Sequence, residues 1–591
     1  MFFCRGGGVG LGFYFPGLFM AKKKMTGAQA IVRCLEIEGA RYVFGVPGGA
    51  VLPLYDAIYG SKKFQHVLVR HEQGGAHMAE GYARVTGEVG VCIGTSGPGA
   101  TNLVTGLADA YLDSVPLVAL TGNVARSLLG TDAFQEVDIT GITMPITKHN
   151  WLVTNPNELV RVMKLAFHVA RTGRPGPVLV DIPKDVQAAE IEFDYDAVVE
   201  DEEFKSFRNQ AADLGPKIVE AAKLISKAKH PVLYLGGGIH VSNAYAEVLR
   251  FAELVNAPVV TTIHGKGAIP ETHPLNLGMF GMHGSRYANF AVQGSDLMFG
   301  IGARFDDRVT GRLNAFAPDA KILHLDIDLA EISKNVKVDV GLLGDVKEVL
   351  PKLTEQLSAL YAKGRHDISS WRAQVEAWRK QHPVSYAQNP KEPLLPQTVV
   401  DLLYKLTKGK AVVVTGVGEH QMFAAQYYKA DYPRQFISSG GLGTMGFCLP
   451  AAIGAQLGAP SKLVIGIDGD GSFQMTLQEL AVASKLKLPI KIFILNNLYL
   501  GMVRQWQELF YDNRKSEVLL GDCPDFVKLA EAYGCLGLRC STLEELEPTL
   551  KKALAHKAGP CIVDVRTKEE ESCYPMVAPG AALDEMLGGK P

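Results

Sequence analysis

Two apolar runs in the C-terminal third of the chain, Leu463-Val464-Ile465-Gly466-Ile467 and Ile492-Phe493-Ile494-Leu495, most constrain its fold. Neither alternates apolar with polar residues. Each therefore reads as a strand buried on both faces, as in a parallel sheet covered by helices. Between them Phe473, Leu477, Leu480 and Ala481 recur at helical spacing, so a helix carries the chain from one strand to the next. In such a unit ligands gather at the carboxyl ends of the strands. The sequence places Gly469-Asp470-Gly471-Ser472 after the first run and Asn496-Asn497 after the second. Asp470 and Asn497 thus come side by side, both offering oxygen. Hard oxygen donors with room left for phosphate oxygens suit Mg²⁺, and the glycines let backbone amides approach a diphosphate at the helix start. A lone Gly-Asp-Gly is commonly an ordinary turn; the strand, helix and Asn-Asn around it give it meaning.

The same alternation of short apolar strands and helices recurs twice upstream, which predicts three α/β units built on doubly wound parallel sheets. A length of 591 residues fits about three or four domains. The first unit, expected over 25–190, opens with Thr26 and Gln29 in a capping-box pattern. Its strands read Tyr42–Val46, Val67–Arg70, Val89–Thr95, Pro116–Thr121 and Val178–Ile182. An acidic linker is expected over 191–213. The second unit, 214–350, has strands at Pro231–Leu235, Val259–Ile263, Leu297–Ile301 and Ile322–Ile327. It carries Gly236-Gly237-Gly238 but lacks the Gly-x-Gly-x-x-Gly spacing of a dinucleotide fingerprint. A charged helical connector, 351–395, leads to the third unit, 396–570, and residues 571–591 form a tail able to lie over a site.

Residues 1–24 are apolar and Gly- and Phe-rich, ending in Lys22-Lys23-Lys24. The charge follows the apolar part, and Gly6-Gly7-Gly8 and Pro16 interrupt it. The segment reads as a disordered extension rather than a secretory signal or a span. A net charge of -2 with interspersed signs gives no reason to expect nucleic acid or a membrane as partner. Nine cysteines without a Cys-x-x-Cys pair point to reduced thiols and a cytoplasmic protein.

A carboxylate at a strand end of the first unit is supplied by His66-Val67-Leu68-Val69-Arg70-His71-Glu72, followed by Gly74-Gly75 and a helix. With it, the Gly-Asp-Gly to Asn-Asn motif resembles that of thiamine diphosphate enzymes. Long stretches narrow the resemblance: Gly45-Val46-Pro47-Gly48-Gly49, Arg70-His71-Glu72-Gln73, Thr95 to Asn102, Gly130 to Glu136, and Gly302 to Arg308. From about residue 25 to 580 the chain resembles the catalytic large subunit of the acetohydroxyacid synthase (acetolactate synthase) family.

The resemblance implies roles at matching positions. Glu72 would activate the aminopyrimidine of thiamine diphosphate. Asp470, Asn497 and the carbonyl of Tyr499 would bind Mg²⁺. Gly418, His420, Gln421, Gly443, Gly469, Gly471 and Ser472 would approach the diphosphate, and Met445 would prop the cofactor. The family usually has Gln where this chain has Glu419. Phe134, Gln135, Lys184, Met282, Asp307, Arg308, Met502, Val503 and Trp506 would line the substrate channel, Gln135 and Lys184 close to the chemistry and Met502 also against the cofactor. Arg308 would grip the second keto acid's carboxylate, and Trp506 would favour 2-oxobutyrate as acceptor. FAD, with no redox task in the main reaction, is implied at Arg174, Gly236, Gly237, His283, Gly284, Gly302, Arg304, Asp326 and Asp345. The implied activity decarboxylates pyruvate and transfers its hydroxyethyl group to pyruvate or 2-oxobutyrate. A homodimer or a dimer of dimers, with a small regulatory subunit, is the implied assembly. The alternative is a flavin-linked enzyme of the pyruvate oxidase type.

Overall fold

A computed structural model describes residues 23–198, 202–206, 214–521 and 524–588. The extension expected over 1–24 lies outside the described residues as far as residue 22. Lys23 and Lys24 instead begin a strand, Lys23–Thr26, paired antiparallel with Glu190–Phe193. That pairing also corrects the irregular linker expected from 191. The linker opens in a strand, and further on holds the helix Glu202–Ser206, whose buried Phe204 packs on His168. The capping box forms as the sequence predicts, with Thr26 and Gln29 closing the start of the helix Gly27–Ile37.

Three six-stranded sheets organise the chain, and every strand pair within them is parallel. The first runs Gln65–Leu68, Tyr42–Gly45, Gly90–Gly94, Leu117–Asn123, Pro177–Pro183, His149–Leu152 from edge to edge. The third runs Phe436–Ile437, Val412–Thr415, Val464–Gly469, Lys491–Asn496, Cys561–Arg566, Leu536–Cys540. Numbered in chain order within each sheet, both follow 2-1-3-4-6-5, so the two units share one topology. The middle sheet runs Asn276–Met279, Val259–Thr261, Pro231–Leu235, Leu297–Ile301, Lys321–Asp326, Val340–Leu343. Its order, 3-2-1-4-5-6, is the dinucleotide-binding one, and its crevice opens where the order reverses, between Pro231–Leu235 and Leu297–Ile301.

The first and third units are fused through one core that joins Phe44, Met78 and Leu107 to Phe447, Ile453 and Ile492. Helices Glu72–Thr86 and Cys448–Gly458 cross there at glycines. A Cβ on Gly81 would stand 2.0 Å from the Ala451 carbonyl oxygen, and one on Gly454 1.8 Å from that of Met78. Where all three units meet, the Asp113 carboxylate accepts from Arg84 at 2.5 Å and from the amides of Gly440 at 3.0 Å and Gly441 at 2.7 Å. His264 of the middle unit lies 3.0 Å from it. Burial alone would raise this carboxyl; His264 and Arg84 hold it well below its ordinary range.

The tail straps the third unit to the middle one. Gln505 donates to the Cys573 carbonyl and accepts from its amide, both at 3.0 Å, and the Val577 amide donates to the Met282 carbonyl at 2.8 Å. Val577 and Leu583 then enter the middle unit's core. Among the described residues no helix is long and apolar enough to cross a membrane. The seven described cysteines are all buried free thiols.

Candidate active site

A cavity of about 700 Å³ opens where the three units meet and takes its lining from all of them. At one end the strand Val464–Gly469 delivers Asp470, 1% exposed, and the strand Lys491–Asn496 delivers Asn497. The two asparagines divide the work. Asn496 turns inward and donates to Asp564 at 2.9 Å. Asn497 faces the cavity; its Oδ1 accepts from the Tyr499 amide at 3.2 Å and its Nδ2 donates to Glu419 at 3.4 Å.

Glu419 begins the helix Glu419–Tyr427 after Gly418, whose φ of 146° is open to glycine alone. Glu419 is 4% exposed, and burial pushes its carboxyl up to about 8 against the pull of Arg504. Beside it, His420 is driven down to about 3 by burial, so its ring is neutral at pH 7. Its Nε2 makes no hydrogen bond but lies 3.4 Å from the Asp468 carboxylate, and a Cβ on Gly469 would lie 2.6 Å from the ring. A neutral polar ring over a glycine-lined wall fits a phosphate-bearing ligand. Gln421 also lines the cavity, its side-chain amide donating to Ser438 at 2.7 Å and to the Ser439 carbonyl at 2.9 Å. Gly443, Met445, Gly471, Ser472, Tyr499 and Met502 complete this end of the lining.

The other end is the middle unit's crevice. Gly236 packs against Gly302, where a Cβ would stand 2.2 Å from the carbonyl oxygen. It serves close approach of the strands and is not in the lining, whereas Gly237 and Gly302 are. Gly284 likewise packs on the Phe280 backbone. Arg174 lines the cavity while held by Ser114, Asp328 and Glu331 at 2.8, 3.2 and 2.7 Å. His283, pushed down to about 4 by burial, has an unpartnered Nδ1. Arg304, Asp326 and Asp345 also line this crevice. Asp326 accepts from the Asp328 amide, and Asp345 caps the helix Val346–Tyr361.

Between the two ends stand Met282, Arg308, Val503 and Trp506. Arg308 keeps its side chain 57% exposed, and the indole nitrogen of Trp506 has no partner. Asp307, expected with them, points outward, its side chain 79% exposed, and is not part of the lining.

Glu72, Phe134, Gln135 and Lys184 are not in this cavity either. They stand at the carboxyl end of the first sheet. Glu72 opens its helix, 8% exposed, and accepts from Asn102 at 2.9 Å. Gln135, at φ 60°, packs against Gly97; Phe134 beside it is 86% exposed; Lys184 follows the strand Pro177–Pro183. The expected residues therefore divide between two places on the chain, the cavity and the carboxyl end of the first sheet.

Three residues escaped the sequence reading. Arg504, wholly buried, donates to both oxygens of Glu508 at 2.9 Å, to Glu419 at 3.2 Å and to the Glu571 carbonyl at 2.7 Å. Glu479, also wholly buried, accepts from the amides of Arg70 and His71 and so pins the start of the Glu72 helix; burial pushes it up to about 7. Asp113 is the third. An arginine on the inner face of an otherwise apolar helix side was a usable signal for Arg504; no local pattern marked the other two.

Family models match the chain in three places: the N-terminal TPP-binding domain of thiamine pyrophosphate enzymes at 25–142, their central domain at 218–353, and their C-terminal TPP-binding domain at 416–565. The acetolactate synthase large subunit of Corynebacterium glutamicum is 52% identical, covering 97% of this chain and 92% of its own length. That of Haemophilus influenzae is 45% identical over 96% and 99% of the two chains. The probable acetolactate synthase large subunit of Methanocaldococcus jannaschii is 47% identical over 95% of each.

Proposed function

The chain belongs to the acetolactate synthase large-subunit family of thiamine pyrophosphate enzymes, and from that premise we propose how its residues serve the reaction. The substrate is pyruvate. Its two-carbon unit passes to a second pyruvate or to 2-oxobutyrate, giving 2-acetolactate or 2-aceto-2-hydroxybutyrate for branched-chain amino-acid synthesis. When bound, thiamine diphosphate supplies the electron sink that decarboxylation of a 2-keto acid requires. The chain supplies the rest. Asp470, Asn497 and the Tyr499 carbonyl would hold Mg²⁺ beside the diphosphate. Gly418, His420, Gly443, Gly469, Gly471 and Ser472 would cradle its oxygens, and Met445 would pack against the cofactor. Glu72 takes and returns a proton at the aminopyrimidine nitrogen. Arg308 fixes the acceptor's carboxylate with a planar fork, and Trp506 and Met282 shape the space for its side chain.

The observation that carries this reading is the meeting, in one cavity, of an acid and an amide from adjacent strand ends with Arg308, Met282 and Trp506. The middle unit's crevice, with Gly237 and Gly302 at its strand reversal, suits FAD in a structural role. Glu72 and Asp470 of different copies build each site in a homodimer, a small regulatory subunit joins it, and the enzyme works in the cytoplasm. The relatives above carry synthase names, which disfavours the pyruvate oxidase alternative. The test is product analysis with pyruvate alone and with pyruvate plus 2-oxobutyrate. The reading expects both acetohydroxy acids. Bleaching of bound flavin by pyruvate at the catalytic rate, without them, would contradict it.

A further inference from the structure

We propose that Glu419 is a positioning residue: it sets which way the Asn497 amide faces and thereby presents that side chain's oxygen to the cation. The inference rests on the reading of Asn497 as a metal ligand. An asparagine amide can turn over, exchanging an acceptor for donors. Only its oxygen can bind a cation. Two neighbours fix the choice here. The Tyr499 amide donates to Oδ1 at 3.2 Å, and Glu419 accepts from Nδ2 at 3.4 Å. Arg504 occupies one Glu419 oxygen and the other accepts from Asn497, so the flipped amide would lose that bond and set its own donors against the Tyr499 amide, which can only donate.

Glu419 is itself held rigid. It lies at the first position of its helix, and Arg504, with no exposed surface, grips its other oxygen. On its remaining side it lies against Gly501, where a Cβ would fall 1.9 Å from Oε2. The helix Gly501–Phe510 can approach that closely only because it starts in glycine, and the same helix carries Met502, Val503 and Trp506. Glu419 thus reaches Asn497 from a fixed platform. A group that orients a ligand in this way commonly changes metal affinity about 10–100-fold when removed.

The test is Mn²⁺ binding to the full chain with thiamine diphosphate, followed by electron paramagnetic resonance, which needs no turnover. Glu419→Ala should weaken Mn²⁺ binding about tenfold or more, whereas Glu419→Gln, whose amide oxygen still accepts from Asn497, should stay within about threefold of the parent. In an Asn497→Ala background, Glu419→Ala should cost nothing further, because it acts through that side chain. Glu419→Asp, a gentler change should the alanine variant not fold, falls short of Asn497 and should also weaken binding. Parent-like affinity in Glu419→Ala or Glu419→Asp, or equal losses in the Ala and Gln variants, overturns the proposal. A parent chain that binds no Mn²⁺ with thiamine diphosphate would instead overturn the reading of the metal site.

Discussion

Glu72 has its carboxylate sheltered at the head of a helix, with Asn102 donating to one oxygen. If it trades a proton with the cofactor, Glu72→Gln keeps the shape and loses the chemistry. Cofactor affinity should survive, and turnover should fall by roughly 10²-fold or more; steady-state rates alongside calorimetry of cofactor binding decide it. Asp470→Ala should do the reverse and abolish Mg²⁺-dependent cofactor binding, since the diphosphate loses its counter-ion. Trp506→Leu should leave pyruvate turnover active but lower the preference for 2-oxobutyrate, a methylene against the indole being worth about 1–3 kcal/mol; an unchanged product ratio in competition would exclude Trp506 from acceptor choice. Asp470 and Asn497 could be placed from the sequence because each lies just beyond a buried apolar run, and Glu72 because it opens a helix after a short strand. Glu479 could not: its partners, Arg70 and His71, lie more than 400 positions away in the chain. Asp113 is hidden in the same way, since two of the groups it binds belong to Gly440 and Gly441.

At the scale of elements, the strands in the middle of each sheet were legible and several at the edges were not. Val464–Gly469, Lys491–Asn496 and Leu297–Ile301 are buried along their whole length, and each holds an unbroken apolar stretch. His149–Leu152, Asn276–Met279, Val340–Leu343 and Leu536–Cys540 were missed, and all four are edge strands. An edge strand pairs on one side only, and its partly exposed residues, as in His149–Leu152, blur the apolar run. The Val67–Arg70 strand sits two residues earlier, at Gln65–Leu68, because the amides of Arg70 and His71 are drawn to Glu479. The burial of Glu479 makes a pH prediction. The Glu479 carboxyl is raised from 4.5 to about 7 in the fold. Its contribution to stability is therefore full below 4.5 and lost as pH climbs through 7. Relative to the parent, Glu479→Gln should gain melting temperature between pH 5 and 8; a constant offset across that range would contradict the assignment.

At the scale of the whole molecule, the three-unit plan followed from strand–helix alternation. The equal topology of the first and third units showed in the sequence only as similar size and pattern. What alternation cannot show is which sheet ends face one another. Glu72, Gln135 and Lys184 end on the first sheet, outside the cavity that holds Asp470 and Asn497. In the proposed two-fold homodimer a second copy would bring the groups on its first sheet to the cavity of its partner. The most direct test mixes Glu72→Gln with Asp470→Ala, each inactive alone, and isolates the mixed dimer by paired affinity tags. One of its sites would carry both defects and the other neither. It should therefore make 2-acetolactate from pyruvate at about half the parent rate. A mixed dimer that makes none, or a parent chain that sediments as an active monomer, would contradict a site shared between copies.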